Sequence, residues 1–158
     1  MNNAHFHLVV NHLPMVGVLI GLLVLITGFL LKKTEVKQTA LGIFIFSGIA
    51  SIFAFYTGEG AEEVVENMTG ISETLIHTHE EYAESFFTIT LILAGLSLIG
   101  LLAKFIHFKY THYLMLLILI VAISDIIIAK YVGTSGGEIR HTEIRGNAQM
   151  ILLEKDDD

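Results

Sequence analysis

Four long apolar runs constrain this chain more than any other feature. They lie at about 13–31 (LPMVGVLIGLLVLITGFLL), 40–57 (ALGIFIFSGIASIFAFYT), 86–106 (FFTITLILAGLSLIGLLAKFI) and 113–132 (YLMLLILIVAISDIIIAKYV). Each is close to the ~20 residues a helix needs to cross a hydrocarbon layer ~30 Å thick. Backbone polar groups find no partner in lipid, so such segments must be helical. Hydrophobicity goes all round each run rather than along one stripe, which argues against a soluble amphipathic bundle. The expected fold is all-α: an integral membrane four-helix bundle, one domain over 1–158, with an extramembrane acidic helical hairpin.

Charge distribution orients the spans. Lys32, Lys33 and Lys37 lie in the first short link, and Lys104 and Lys109 in the third. The 58–85 link has no Lys or Arg and eight glutamates. The positive-inside rule then puts the two lysine links in the cytoplasm and both termini outside. Lys130, Arg140, Arg145 and Lys155 fall on the outer side and dilute that signal. Tyr56 and Tyr131 fall near the outer boundary, Tyr110 and Tyr113 near the inner one, where interfacial aromatics belong. The expected location is a bacterial cytoplasmic membrane. A net charge of −7 argues against nucleic acid as a partner. Without cysteine, thiolate metal sites and c-type haem attachment are excluded. No cleavable signal peptide, domain boundary or strong internal repeat is evident. The EKDDD tail at 154–158 reads as a mobile, solvated end.

Small residues suit close helix contact: Gly17 and Gly21 in the first span, Ser47 and Ser51 with Ala50 and Ala54 in the second. Asp125 is the one carboxyl inside a span. A charge there is costly, so it should face the bundle interior, where Ser47, Ser51 or Ser97 could bond it as a neutral acid; a proton or second-shell role is the alternative.

Ligand-type side chains collect on the outer side. His5, His7, His12, His77, His79 and His141 all fall there, whereas His107 and His112 fall inside and read as interfacial. Glu73, His77, Glu80 and Glu84 share one helical face, as do Glu59, Glu62 or Glu63, and Glu66 on an extension of the second span. Residues 67–70 (NMTG) supply the turn between these acidic arms. On a helix His77 and His79 point about 200° apart and would not bind one ion together; in an extended stretch they share a face and could do so. Gly133, Gly136 and Gly137 are expected to end the fourth span and let the chain fold back. Glu138 and His141 then stand in the Glu-x-x-His spacing of carboxylate metal bundles, while Arg140 and Arg145 could clamp the tail to the acidic hairpin. At the N-terminus His7 and His12 approach the only proline, Pro14, which either starts the helix or frees a carbonyl one turn earlier. An outer headpiece from 1–12, 58–85 and 133–147 follows.

The sequence His-x4-His-Leu-Pro (His7, His12, Leu13, Pro14), the Gly136-Gly137 pair and the four-helix layout resemble a family of bacterial four-helix integral membrane proteins without assigned activity. Leu13 stands where that family usually has Phe. TGEGAEEVVEN and TSGGEIRHTEIR resemble one of its subgroups. Some relatives carry Rieske or c-type cytochrome modules, which implies a respiratory or redox setting.

Three readings follow. A b-type haem could be held by two of His7, His12, His77, His79 and His141, since haem iron takes axial imidazoles. A transition metal could be held by His77, Glu80, Glu84, Glu59, Glu63, Glu138 and His141, since imidazole with carboxylate is a common ligand set. The chain could instead be a cofactor-free structural or assembly subunit. No catalytic constellation is visible, and partners beyond the bilayer would be a respiratory or redox complex or further copies of the chain.

Overall fold

The computed structural model describes residues 3–65, 72–105 and 108–145 of the chain. Expectations on the side chains of Glu59, Glu63 and Lys104, on Glu66 and the 67–70 turn, on His107, on 146–147 and on the 154–158 tail lie outside the described residues. Five α-helices follow in order: α1 (Asn3–Val10), α2 (His12–Leu30), α3 (Thr34–Val65), α4 (Glu73–Phe105) and α5 (Thr111–Arg140), then a 3-10 turn at Thr142–Ile144. Among the described residues, four helical stretches are long and apolar enough to cross a membrane: His5–Leu30, Thr34–Gly58, Glu73–Ala103 and Thr111–Arg140. The protein is an all-α, multi-pass membrane bundle.

Consecutive helices pack side by side, α2 on α3, α3 on α4 and α4 on α5, and α2 meets α5 to close the ring. Val18, Leu25, Leu41, Phe44, Leu93 and Ile118 fill the centre. Leu23, Phe46, Ile99 and Ile120 stay exposed on the rim. Apolar surface on the outside and polar atoms in the centre is the arrangement that lipid as solvent favours. Glycine sets the spacing of α3 against its neighbours. A Cβ on Gly21 would lie 2.6 Å from the Phe44 ring, and one on Gly48 would strike the Ala94 Cβ.

The α2–α3 turn shows how the lysine end is made. The Lys33 N–H reaches back to the Gly28 carbonyl (3.1 Å) and the Lys32 N–H to that of Phe29 (3.2 Å). Lys32 adopts φ 54°, the left-handed position that glycine usually takes in this cap. Lys37 closes the turn, with Nζ 4.4 Å from the Phe29 ring centroid.

One open expectation is decided and one corrected at the opposite end. Of the two roles open to Pro14, starting the helix or freeing a carbonyl one turn earlier, the structure takes the second. Asn11 is helical (φ −59°, ψ −30°) and its N–H bonds the His7 carbonyl at 2.8 Å, so helix precedes the proline. Lacking an N–H, Pro14 leaves the Val10 carbonyl without its usual donor. That is where α1 departs to lie on α3. Gly133, Gly136 and Gly137 do not end the fourth span: α5 runs through them to Arg140. Gly136 and Gly137 instead admit close neighbours, because would-be Cβ atoms there lie 3.0 Å from the His79 ring and 3.1 Å from Ile144.

Candidate functional site

The extensions of α3, α4 and α5 and the α1–α2 junction meet at the end opposite the lysine turns. They enclose a cavity of about 720 Å³. Its walls are mainly apolar, including Met15, Phe55, Phe86 and Phe87. Phe55 and Phe87 stack with centroids 4.4 Å apart, tying α3 to α4. His7, His12, His79, Glu62, Glu80, Glu84, Arg140 and His141 supply the polar lining.

Two histidines are held by the same local device. On α1, His7 Nδ1 lies 3.1 Å from the Ala54 carbonyl and 3.2 Å from Thr57 Oγ1. On α4, His79 Nδ1 lies 3.1 Å from Ser135 Oγ. Each hydroxyl donates back into its own helix, Thr57 to the carbonyls of Phe53 (2.8 Å) and Ala54 (3.1 Å) and Ser135 to that of Val132 (3.2 Å). In each case the next residue is glycine, and the ring lies against it. A Cβ on Gly58 would sit 3.6 Å from His7 Cε1, and one on Gly136 3.0 Å from His79 Cε1.

The chemistry of these contacts sets the tautomers. A carbonyl only accepts, so His7 must donate from Nδ1. Ser135 Oγ lies 3.1 Å from His79 Nδ1 and 3.2 Å from the Val132 carbonyl, and when its proton goes to Val132 its lone pair accepts from His79 Nδ1. A neutral ring so bonded keeps its lone pair on Nε2. A hydrogen bond at one nitrogen that orients the other is the usual support of a ligating histidine. The two rings are also within electrostatic reach of one another.

The other expected residues separate by helix phase. His77 does not join the cavity: its side chain is 73% exposed, and Nδ1 lies 3.6 Å from Glu81 on the same helix. His79 faces inward, and two residues along a helix is about 200°, so His77 must face out. Glu80, Glu84, His12 and His141 reach the cavity from exposed positions at its mouth. His141 turns toward Glu143, Nδ1 to Oε1 3.0 Å. The Glu143 carboxyl is held below its ordinary range, first by its own backbone N–H and then by His141. Glu138 is half-buried and is not part of the cavity lining. Among the described residues, no three His, Asp or Glu side chains come together closely enough to hold a metal ion. Of the expected set His77, Glu80, Glu84, Glu59, Glu63, Glu138 and His141, the side chains of Glu59 and Glu63 lie outside the described residues and the other five do not form one cluster.

Arg145 takes a different role from the clamp anticipated for it. Its Nε and Nη2 donate to the carbonyls of Glu138 (2.7 Å) and Ile139 (3.0 Å). These are terminal acceptors of α5 that have no helical donor. Arg145→Ala should fray the last turn of α5, at a local cost of about 1 kcal/mol. The check is faster hydrogen exchange at the His141 amide, which bonds the Gly137 carbonyl.

Asp125 is fully buried, as expected of a carboxyl within a span, but its partner is not a serine. Thr90 Oγ1 donates to its two oxygens at 3.2 and 3.0 Å. Ser47 and Ser51 spend their hydroxyl protons on the carbonyls of Ile43 and Gly48. Such bonding within a helix is the ordinary recourse of serine in apolar surroundings.

Thr57, Ser135, Gly58 and Thr90 carry roles not read from the sequence. A signal was present for the first three, in the similar strings Thr57-Gly58-Glu59 and Ser135-Gly136-Gly137-Glu138. Hydroxyl–glycine pairs are common, and only their contact with histidine gives them meaning. No family model, curated protein or solved structure matches this chain.

Proposed function

We propose that the chain is a membrane electron-transfer or redox-associated subunit that holds a b-type haem through His7 and His79. The observation that carries this reading is the pair of histidine supports at Nδ1; a ring that donates there keeps its lone pair on Nε2. A porphyrin supplies four iron ligands of its own and asks the protein for one or two imidazoles. A bare metal ion asks for three or four protein donors.

The remaining features of the cavity fit that group. Its volume of about 720 Å³ lies within the ~300–1,000 Å³ of small-molecule and cofactor sites. Asn11 Oδ1, on the lining, is buried with no partner among the protein atoms. Arg140 brings a cation near the mouth, where propionates need one. Glu80 and Glu84 are exposed there, so solvent and salt screen their repulsion. When bound, haem supplies one-electron exchange at iron. The protein contributes imidazoles of defined tautomer, an apolar wall that excludes water, and hydroxyls that raise the basicity of the ligating nitrogens.

The test is a reduced-minus-oxidised absorption spectrum of detergent-purified protein, with metal analysis on the same sample. The expected result is a low-spin b-type spectrum with iron and protein in simple ratio. A transition metal without haem would favour the metal reading, and neither would favour a structural or assembly subunit. We further place the chain in a bacterial cytoplasmic membrane with both termini outside, within a respiratory or redox complex or a homo-oligomer. Cysteine labelling of intact cells tests the orientation: position 77 should react with an impermeant reagent and position 35 should not.

A further inference from the structure

We propose that Asp125 is a proton-exchanging group served from the histidine cavity, and that its proton occupancy follows the charge held there. The first support is the buried polar seam beneath the cavity. Ser51 lines the cavity and is itself 2% exposed. Its hydroxyl bonds the carbonyl of Gly48, which packs beside α4 at Thr90 and Ala94. Thr90 stands about one turn, ~6 Å, below Phe86 of the cavity wall, and Asp125 about ~10 Å of helix below Val132. Thr90 and Asp125 bond each other, which places buried polar groups at successive depths from the cavity floor to a carboxyl in the middle of α5. Ser97, further along α4, is fully buried and its Oγ has no partner.

The second support is the departure of Asp125 from the internal match. Ser47 stands ten residues before Thr57, and Asp125 ten residues before Ser135. At this depth the α2–α3 pair brings Gly17 against the Ser47 side chain, a contact that needs no ionisable group. The α4–α5 pair puts a carboxyl and a hydroxyl in the corresponding place. A serine would satisfy packing there at far less cost than a buried carboxyl, and an ionisable group within a span points to function.

Few charges compete for control of Asp125. From α4 it meets the Thr90 hydroxyl, and α4 carries no Asp, Glu, Lys or Arg from 85 to 103. On α2 there is none from 13 to 30, leaving His12 at its mouth, and on α3 none from 38 to 58. On α5 itself the nearest is Lys130, which is exposed. Apart from the exposed Lys130, no Asp, Glu, Lys or Arg on these helices stands between Asp125 and the cavity. With a haem bound in the cavity, its one-electron reduction would add one negative charge there. Asp125 would then take up one proton from bulk solvent relayed by cavity water, its carboxylate becoming a carboxylic acid, and would return it to solvent on oxidation. The coupling to reduction rests on the haem reading; the proton exchange does not.

The experiment is infrared difference spectroscopy of the full chain in nanodiscs, on wild type, Asp125→Asn and Thr90→Val. Acid-minus-base spectra should show one buried carboxyl carbonyl band that is lost in Asp125→Asn and displaced in Thr90→Val. Thr90→Val keeps the acid, so a displaced band identifies it even if Asp125→Asn folds poorly. Dithionite-reduced minus oxidised spectra of haem-loaded protein should show the same band growing on reduction. The midpoint potential should fall as pH rises in wild type and flatten in Asp125→Asn. Absence of a titrating band overturns the proposal. A titrating band indifferent to reduction in haem-loaded protein overturns the coupling. A sample that takes up no haem defeats the reading of the cavity, and the acid–base spectra then decide Asp125 alone.

Discussion

His79→Ala should abolish the low-spin haem spectrum, and His77→Ala, two residues away, should leave it unchanged. The contrast is large because helix phase divides the two rings completely. His79 lies on the cavity lining with Nδ1 bonded to Ser135, whereas His77 is exposed and pairs with Glu81. His7→Ala should match His79→Ala, since Ala54 and Thr57 support His7 in the same manner. The supports should give a graded result. Ser135→Ala or Thr57→Ala keeps the ring and loses its orienting partner, a change that costs on the order of 10–100-fold in affinity at ligating histidines. Spectral titration of each purified variant with haem measures all of these. Equal loss in His77→Ala and His79→Ala would place the ligands elsewhere.

The second large effect concerns packing, and its sign depends on which glycine is changed. Gly48→Ala should destabilise the bundle by about 1–3 kcal/mol, the usual cost of overpacking. The new Cβ would strike the Ala94 Cβ, and neither a methyl group nor its backbone can rotate away. The helices α3 and α4 must separate, directly below the cavity floor. Gly42→Ala and Gly95→Ala should be neutral or stabilising by up to ~1 kcal/mol, because alanine is the better helix former. A Cβ at either position meets nothing within 4 Å. Thermal unfolding of the three variants in one detergent gives the comparison. A melting temperature of Gly48→Ala at or above that of Gly95→Ala would show that α3 and α4 are not packed as described. Haem affinity in Gly48→Ala should fall with stability, since Phe55 and Phe87 stack across the same helix pair.

Much of the wall of the candidate site was legible and its centre was not. Expecting His5, His7, His12, His77, His79, His141, Glu80 and Glu84 at one end of the bundle needed only the order of apolar and polar segments, and all but His5 and His77 line one cavity. Choosing among them needed contacts between segments far apart in the chain. His7 meets Thr57 at a separation of 50 residues and His79 meets Ser135 at 56. Nothing local in the string around Thr57 or Ser135 announces a histidine partner. Glycine was misread for a similar reason. Gly136 looked like a helix end because that is glycine's commonest meaning after an apolar run, yet it is a seat for the His79 ring.

What the sequence determined by itself is the number of spans, their helical state and the burial of Asp125. Those follow from solvation, which acts on each segment separately: a run of apolar residues must shelter its own backbone, and a carboxyl within it must turn inward. Only the tertiary structure decided that Thr90 rather than a serine meets Asp125, that α5 continues through three glycines, and that His79 rather than His77 enters the cavity. Each of these depends on the rotation of one helix against another. That rotation is set by which small residues let the backbones close together, and solvation of a single helix carries no information about it.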